Sequence, residues 1–168
     1  VKDSTVESVT YAATGNGVLI TQTASVSFVA SSISPSTQTV SATAGSAITT
    51  TTAYTASNFT GSVSYALSGG TLPTGLIFST STGQISGTPT STLSSTVFTV
   101  TATGSSSGSA TASITLSVAP GAVSASPSTV SASPSSVPAN GSSTSTITVT
   151  LKDANSNLVS GKTVTLSQ

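Results

Sequence analysis

From Ser8 to Leu151 no side chain carries a formal charge at neutral pH; the six that do, Lys2, Asp3, Glu7, Lys152, Asp153 and Lys162, sit at the two ends of the chain. Disordered chains are usually rich in net charge and poor in β-branched residues. Here Thr, Val and Ile abound, and their branched Cβ suits a pleated surface. Helical periodicity is hard to find, whereas apolar-polar alternation recurs. With hydrophobic residues at only 35% of 168, the expectation is a thin-cored, all-β protein.

Composition also removes whole classes of function. His, Cys, Met, Trp and Arg are absent and the net charge is zero. There is no basic face to neutralise phosphates, and none for polybasic attachment to a membrane. No apolar run approaches the roughly 18 residues that would span a bilayer. Without Cys there can be no disulfide staples. Val1 has the wrong flanks for a signal peptide, as expected of a segment from inside a longer polypeptide.

Along the chain, Val9, Tyr11 and Ala13 alternate with polar or small residues, then Val18, Ile20, Ala24, Val26 and Phe28 do the same. Gly15-Asn16-Gly17 between them tolerates positive φ and predicts a hairpin. Seven further strands are expected at Thr39–Ala42, Ile48–Ala56, Ser62–Leu67, Leu76–Ser79, Gly83–Ser86, Val97–Thr103 and Ala112–Val118. Gly, Pro and Ser turns separate them, which is the spacing of a sandwich. Ala30–Pro35 and Ala119–Pro127 read as short linkers. Two Pro/Ser heptads, Ser124–Val130 and Ser131–Val137, read as an irregular first strand with edge prolines. Ile147, Val149 and Leu151 predict one more strand, and Val164 with Leu166 another.

Two stretches resemble known families. Leu72-Pro73-Thr74-Gly75-Leu76, followed by Ser81-Thr82-Gly83-Gln84-Ile85-Ser86-Gly87-Thr88-Pro89, resembles the LPxGL and STGxISGTP signature of bacterial "Putative Ig" domains. Val137–Thr150 and Leu151–Leu166 resemble the opening of invasin/intimin-type bacterial Ig-like domains, with Asn140 and Ser156 where that family often has Asp and Gly. Glu7–Ala13 and Thr21–Phe28 resemble the closing hairpin of the same type. These resemblances imply tandem immunoglobulin-like β-sandwich modules: residues 1–30 as the C-terminal strands of one invasin-like module, 33–118 as a complete Putative Ig sandwich, and 122–168 as the N-terminal strands of another.

Chemistry-bearing groupings are scarce. General acid-base work needs carboxylates or His in a cleft, but Asp3, Glu7 and Asp153 lie at opposite ends of the sequence. Ser and Thr nucleophiles lack a His base. Asp153-Ala154-Asn155-Ser156-Asn157 looks like half a calcium loop, yet Leu158 and Val164 stand where Gly and Glu are wanted; a polar turn is expected. Asn58-Phe59-Thr60 and Asn140-Gly141-Ser142 fit the N-glycosylation pattern, as chance allows in so Ser/Thr-rich a chain. A Lys–Asn isopeptide bond would have to draw on Lys152 or Lys162, and the terminal charges are expected in solvent. No catalytic, cofactor-binding or metal-ligating residue is expected, and no cofactor.

What the resemblance implies is a structural segment: the stalk or filament body of a large bacterial surface or secreted fibre or adhesin, extracellular or at the cell surface. An adhesive module binding host protein or polysaccharide is the alternative, as is a spacer of a phage tail fibre or extracellular enzyme. The expected partners are neighbouring copies or repeats of the same protein, end to end or side by side, and a host or matrix surface, with no nucleic acid and no membrane insertion. One such arrangement pairs Asn140–Gln168 of one chain with Val1–Ala30 of another. Edge strands usually carry protective charges, and their absence here favours assembly.

Overall fold

The computed structural model describes residues 5–106 and 108–167. Strands and turns account for its regular structure. The first two strands are β1 (Glu7–Gly15) and β2 (Val18–Phe28), followed by β3 (Ser32–Ser34), β4 (Thr37–Thr43), β5 (Thr55–Ser57) and β6 (Val63–Ser68). Then come β7 (Leu76–Phe78), β8 (Ile85–Gly87), β9 (Leu93–Gly104), β10 (Ser109–Ala119), β11 (Val123–Ser133) and β12 (Thr146–Asp153).

The core lies in the central module. Its larger sheet has the order β4-β10-β9-β6, with β4 parallel to β10 and the other pairs antiparallel. Strict alternation turns Phe98, Val100 and Ala102 of β9, and Ala112, Ile114, Leu116 and Val118 of β10, into the interior. The facing layer consists of the β3-β5 and β7-β8 ribbons and the run between β4 and β5, contributing Ile33, Tyr54, Leu76 and Ile85 to the same cluster. Phe98, Ile85, Ile114, Leu116 and Val100 are fully enclosed. Each is worth roughly 1.5–3 kcal/mol of burial, so this thin sandwich holds most of the chain's stability.

One strand expectation is corrected. Of Ile48–Ala56 only the end pairs as a strand, in β5. The rest makes backbone bonds at every third residue: the Ile48, Thr51 and Tyr54 amides donate to the Gly87, Ile85 and Thr82 carbonyls, at 2.9, 3.0 and 3.1 Å. Those same three residues turn inward while their neighbours are exposed. A repeat of three belongs to an extended polyproline-type run, not to a pleated ladder. Side chains complete the seam. Thr51 Oγ1 accepts from the Ile85 amide at 2.8 Å, and Gln38 brackets the Thr52 backbone with bonds of 3.0 and 2.9 Å.

The glycines of the two quoted motifs meet here. Leu76 pairs with Gly87 in the β7-β8 ribbon, and the Thr88 amide donates to the Gly75 carbonyl at 3.0 Å. A Cβ on Gly75 would strike the Thr88 carbonyl, and one on Gly87 the Gly75 carbonyl. Both have positive φ, so two backbones in contact leave no alternative to glycine.

Each end of the chain is a two-stranded ribbon. β1 and β2 are joined through Asn16 and Gly17, with φ of 50° and 80°, as a two-residue hairpin turn requires. β11 pairs with β12 despite Pro127, through an irregularity between Ser124 and Thr129. The expected strand at Val164 and Leu166 does not form among the described residues; that segment has no partner strand to complete a ladder. The expected linkers are shorter than read: Ser32–Ser34 is β3, and only Pro120, Gly121 and Ala122 separate β10 from β11.

Candidate functional site at the module junctions

With so few titratable groups, the sites that distinguish this chain are the places where one module meets the next. At the C-terminal junction the organiser is Asp153, the last residue of β12, which is 1% exposed. Its Oδ2 accepts the Gly121 amide at 2.8 Å and Asn157 Nδ2 at 2.9 Å; its Oδ1 accepts the Asn155 and Asn157 amides, both at 2.9 Å. Asn157 Nδ2 also donates to the Thr90 carbonyl of the central module at 2.9 Å. One carboxylate thus ties the β12 end to the linker, and its turn ties both to the sandwich. Gly121 has to be small, because a Cβ there would come within 2.9 Å of the Ala44 carbonyl.

Burial alone would raise the Asp153 pKa. The Asn157 side chain and the Gly121, Asn157 and Asn155 amides outweigh it and hold the carboxyl below its usual range. The ionised form is the one the junction is built around.

A second, smaller junction lies at the other end of the sandwich. Asn58 Nδ2 donates to the Ala30 carbonyl at 3.0 Å, and Ser31 Oγ donates to the Asn58 carbonyl at 2.9 Å. Asn58 holds a φ of 61°, a conformation Asn tolerates better than most residues. The registers place the two junctions apart. Val63, Gly104 and Ser109 lie together at one end of the sheet, and Thr43, Leu93 and Ala119 at the other.

The residues weighed from sequence are placed as follows. Glu7 and Lys162 are exposed and Lys152 is half-buried, but Asp153 is buried, which corrects the expectation that the terminal charges sit in solvent. Lys2 and Asp3 lie outside the described residues. The Asp153–Asn157 segment is a turn whose carboxylate oxygens receive N–H donors. Asn58 spends its side-chain N–H on Ala30, while Asn140 Oδ1 caps its own turn, accepting from the Ser142 and Ser143 amides at 3.1 and 2.8 Å. The junction roles of Asp153 and Asn58 were missed. The available signal was an Asp-x-Asn-x-Asn run immediately after an alternating strand.

Fold and junctions together define an all-β protein of immunoglobulin-like sandwich type, with consecutive modules held by polar contacts. The chain belongs to the Putative Ig domain family, whose model matches residues 2–119. A second model, "Invasin, domain 3", matches residues 124–168. No curated protein matches the chain. Among solved structures it is similar to mouse clustered PcdhgC3 EC1-3, at 12% identity and a TM-score of 0.35 over 66% of this chain and 43% of that one. It is also similar to mouse Cadherin-23 EC22-24, at 11% identity and a TM-score of 0.36 over 67% and 43%. The chain therefore spans less than half the length of either.

Proposed function

We propose that this chain is a structural repeat segment, forming the stalk or filament body of a large bacterial surface or secreted fibre or adhesin and acting outside the cell without catalysis. The observation that carries the reading is the Asp153 junction. A flexible tether would need no buried carboxylate, no four N–H donors and no bond from Asn157 across to Thr90. Such a device serves to fix the direction of one module relative to the next. β10 has 11 residues, so the junctions stand about 36 Å apart at ~3.3 Å per residue. Modules fixed at opposite ends extend a chain instead of folding it back. The invasin-type match fits a surface-exposed module, and a nearly charge-free, hydroxyl-rich exterior suits a structural surface.

Small-angle scattering tests this. The native chain is expected to give one extended shape, and Asp153→Ala with Asn157→Ala a broader distribution of module angles with an unchanged central sandwich. A native chain as flexible as that variant would remove the basis for a stalk. A glycan or matrix-protein array showing specific, saturable capture of the native chain would favour the adhesive reading instead.

A further inference from the structure

The chain contains two Asn-Gly steps, Asn16-Gly17 and Asn140-Gly141, and the structure treats them differently. Asn140, Gly141, Ser142 and Ser143 are all exposed, in the loop between β11 and β12, whose nearest paired residues are Ser133 and Thr146. Asn140 Oδ1 accepts from the Ser143 amide at 2.8 Å, the Ser142 amide at 3.1 Å and the Ser142 hydroxyl at 3.2 Å. The Gly141 amide donates to nothing among the described residues. Space beside it is open, since a Cβ on Gly141 would meet no atom within 4 Å.

We infer that the Asn140-Gly141 step modifies itself, losing ammonia through a cyclic imide and turning residue 140 into aspartyl and isoaspartyl forms. The Gly141 nitrogen attacks Asn140 Cγ, and negative charge gathers on Oδ1. Donors already aimed at that oxygen stabilise it most when its charge is greatest, as an oxyanion hole does. The Cγ–Nδ2 bond then breaks, and Nδ2 leaves as ammonia, taking up a proton in place of the one Gly141 gave to water. A water molecule reopens the imide. Cleavage on the Cγ side restores the ordinary main chain with an aspartate. Cleavage on the other side routes the main chain through Cγ as isoaspartate.

Neighbouring structure decides which Asn reacts. Cyclisation requires the Asn backbone to rotate until the next nitrogen faces Cγ. At Asn16 that rotation would break a two-residue turn pinned by the pairing of Gly15 with Val18; at Asn140 no strand pairing depends on it. Asn58, Asn155 and Asn157 precede Phe59, Ser156 and Leu158, whose side chains crowd the attack as glycine does not. Asn58 and Asn157 also have Nδ2 held by acceptors. The outcome is a charge inside the stretch from Ser8 to Leu151 that has none. The aspartyl form keeps the loop, because a carboxylate accepts the same Ser142 and Ser143 amides more strongly.

The test incubates the whole chain at neutral and mildly alkaline pH and follows each Asn by peptide mass mapping. Asn140 is expected to exchange amide for carboxyl at least about tenfold faster than Asn16, with isoaspartate among the products. The rate should climb with pH, because the nucleophile is the deprotonated amide. Gly141→Ala should slow the exchange by about tenfold. Ser142→Ala removes the hydroxyl donor, keeps the amide, and should slow it by about fivefold. An unchanged thermal transition verifies the sandwich in both variants. Equal rates at Asn140 and Asn16 overturn the inference, as does a product that is aspartate alone. So does a Ser142→Ala rate equal to that of the native chain. None of these results touches the stalk reading, which rests on the Asp153 junction.

Discussion

Tyr54 and Tyr65 stack in the core with ring centroids 6.1 Å apart, yet their hydroxyls have opposite fates. Tyr65 donates to the Tyr54 carbonyl at 3.0 Å. The buried Tyr54 hydroxyl meets no partner in hydrogen-bonding geometry; burial pushes its pKa up, and the nearby Gln38 side chain only moderates the rise. Removing a bonded hydroxyl strands its acceptor, whereas removing an unbonded one relieves a desolvated group. Tyr65→Phe should therefore cost about 1 kcal/mol, and Tyr54→Phe should cost nothing or stabilise slightly. Equilibrium denaturation of the two variants settles the contrast, and equal losses would contradict it. Gly87→Ala is a harsher change, since it adds a Cβ against the Gly75 carbonyl at a φ of 119°. At least about 2 kcal/mol should be lost, from strain and collision together. The midpoint of the same denaturation curve reads it.

Among elements, the irregular stretch of β11 shows how a strand survives a proline, Pro127. Between Ser124 and Thr129 the ladder is interrupted, and Ser128 Oγ replaces it by accepting the Lys152 amide at 2.9 Å and donating to the Lys152 carbonyl at 3.2 Å. Ser128→Ala removes both bonds, and amide exchange at Lys152 should quicken by roughly tenfold. Unchanged protection there would show that the serine is dispensable. Legibility also differed element by element. The alternation at Ala112, Ile114, Leu116 and Val118 predicted four inward side chains, and all four are buried. At Ile48–Ala56 a period of two was expected and a period of three is present. The threonines at 49–52 hide the difference, because Thr51 is buried beside exposed, chemically identical neighbours. Asp153 was equally opaque: a carboxylate at a strand end reads as solvated until the turn behind it brings three N–H donors to bear and Gly121 a fourth. Val164 and Leu166 alternate as a strand would, but alternation cannot supply a partner.

At the scale of the whole molecule, the C-terminal junction is held through one ionised group, Asp153, and the sign of its pH dependence follows. The Asp153 pKa is depressed in the folded state below the 3.8 of a free aspartate. A depressed carboxylate contributes its full stabilisation above the unfolded pKa and loses it only as pH falls through the folded one. The junction should thus stay closed from neutral pH down to the ordinary carboxylate range, and open as pH falls below it. Protonation would leave Oδ1 and Oδ2 facing N–H donors from Gly121, Asn155 and Asn157 with one lone pair taken by a proton. Asp153→Asn mimics that state at every pH, since its amide sets N–H against N–H. Scattering profiles should then be pH-independent and broad for the variant, and for the native chain narrow until pH falls below the ordinary carboxylate range. The central core contains no carboxylate among its cluster, so its own transition should not move over the same range. A native chain that loosens at mildly acidic pH would mean the hinge is governed by some other group.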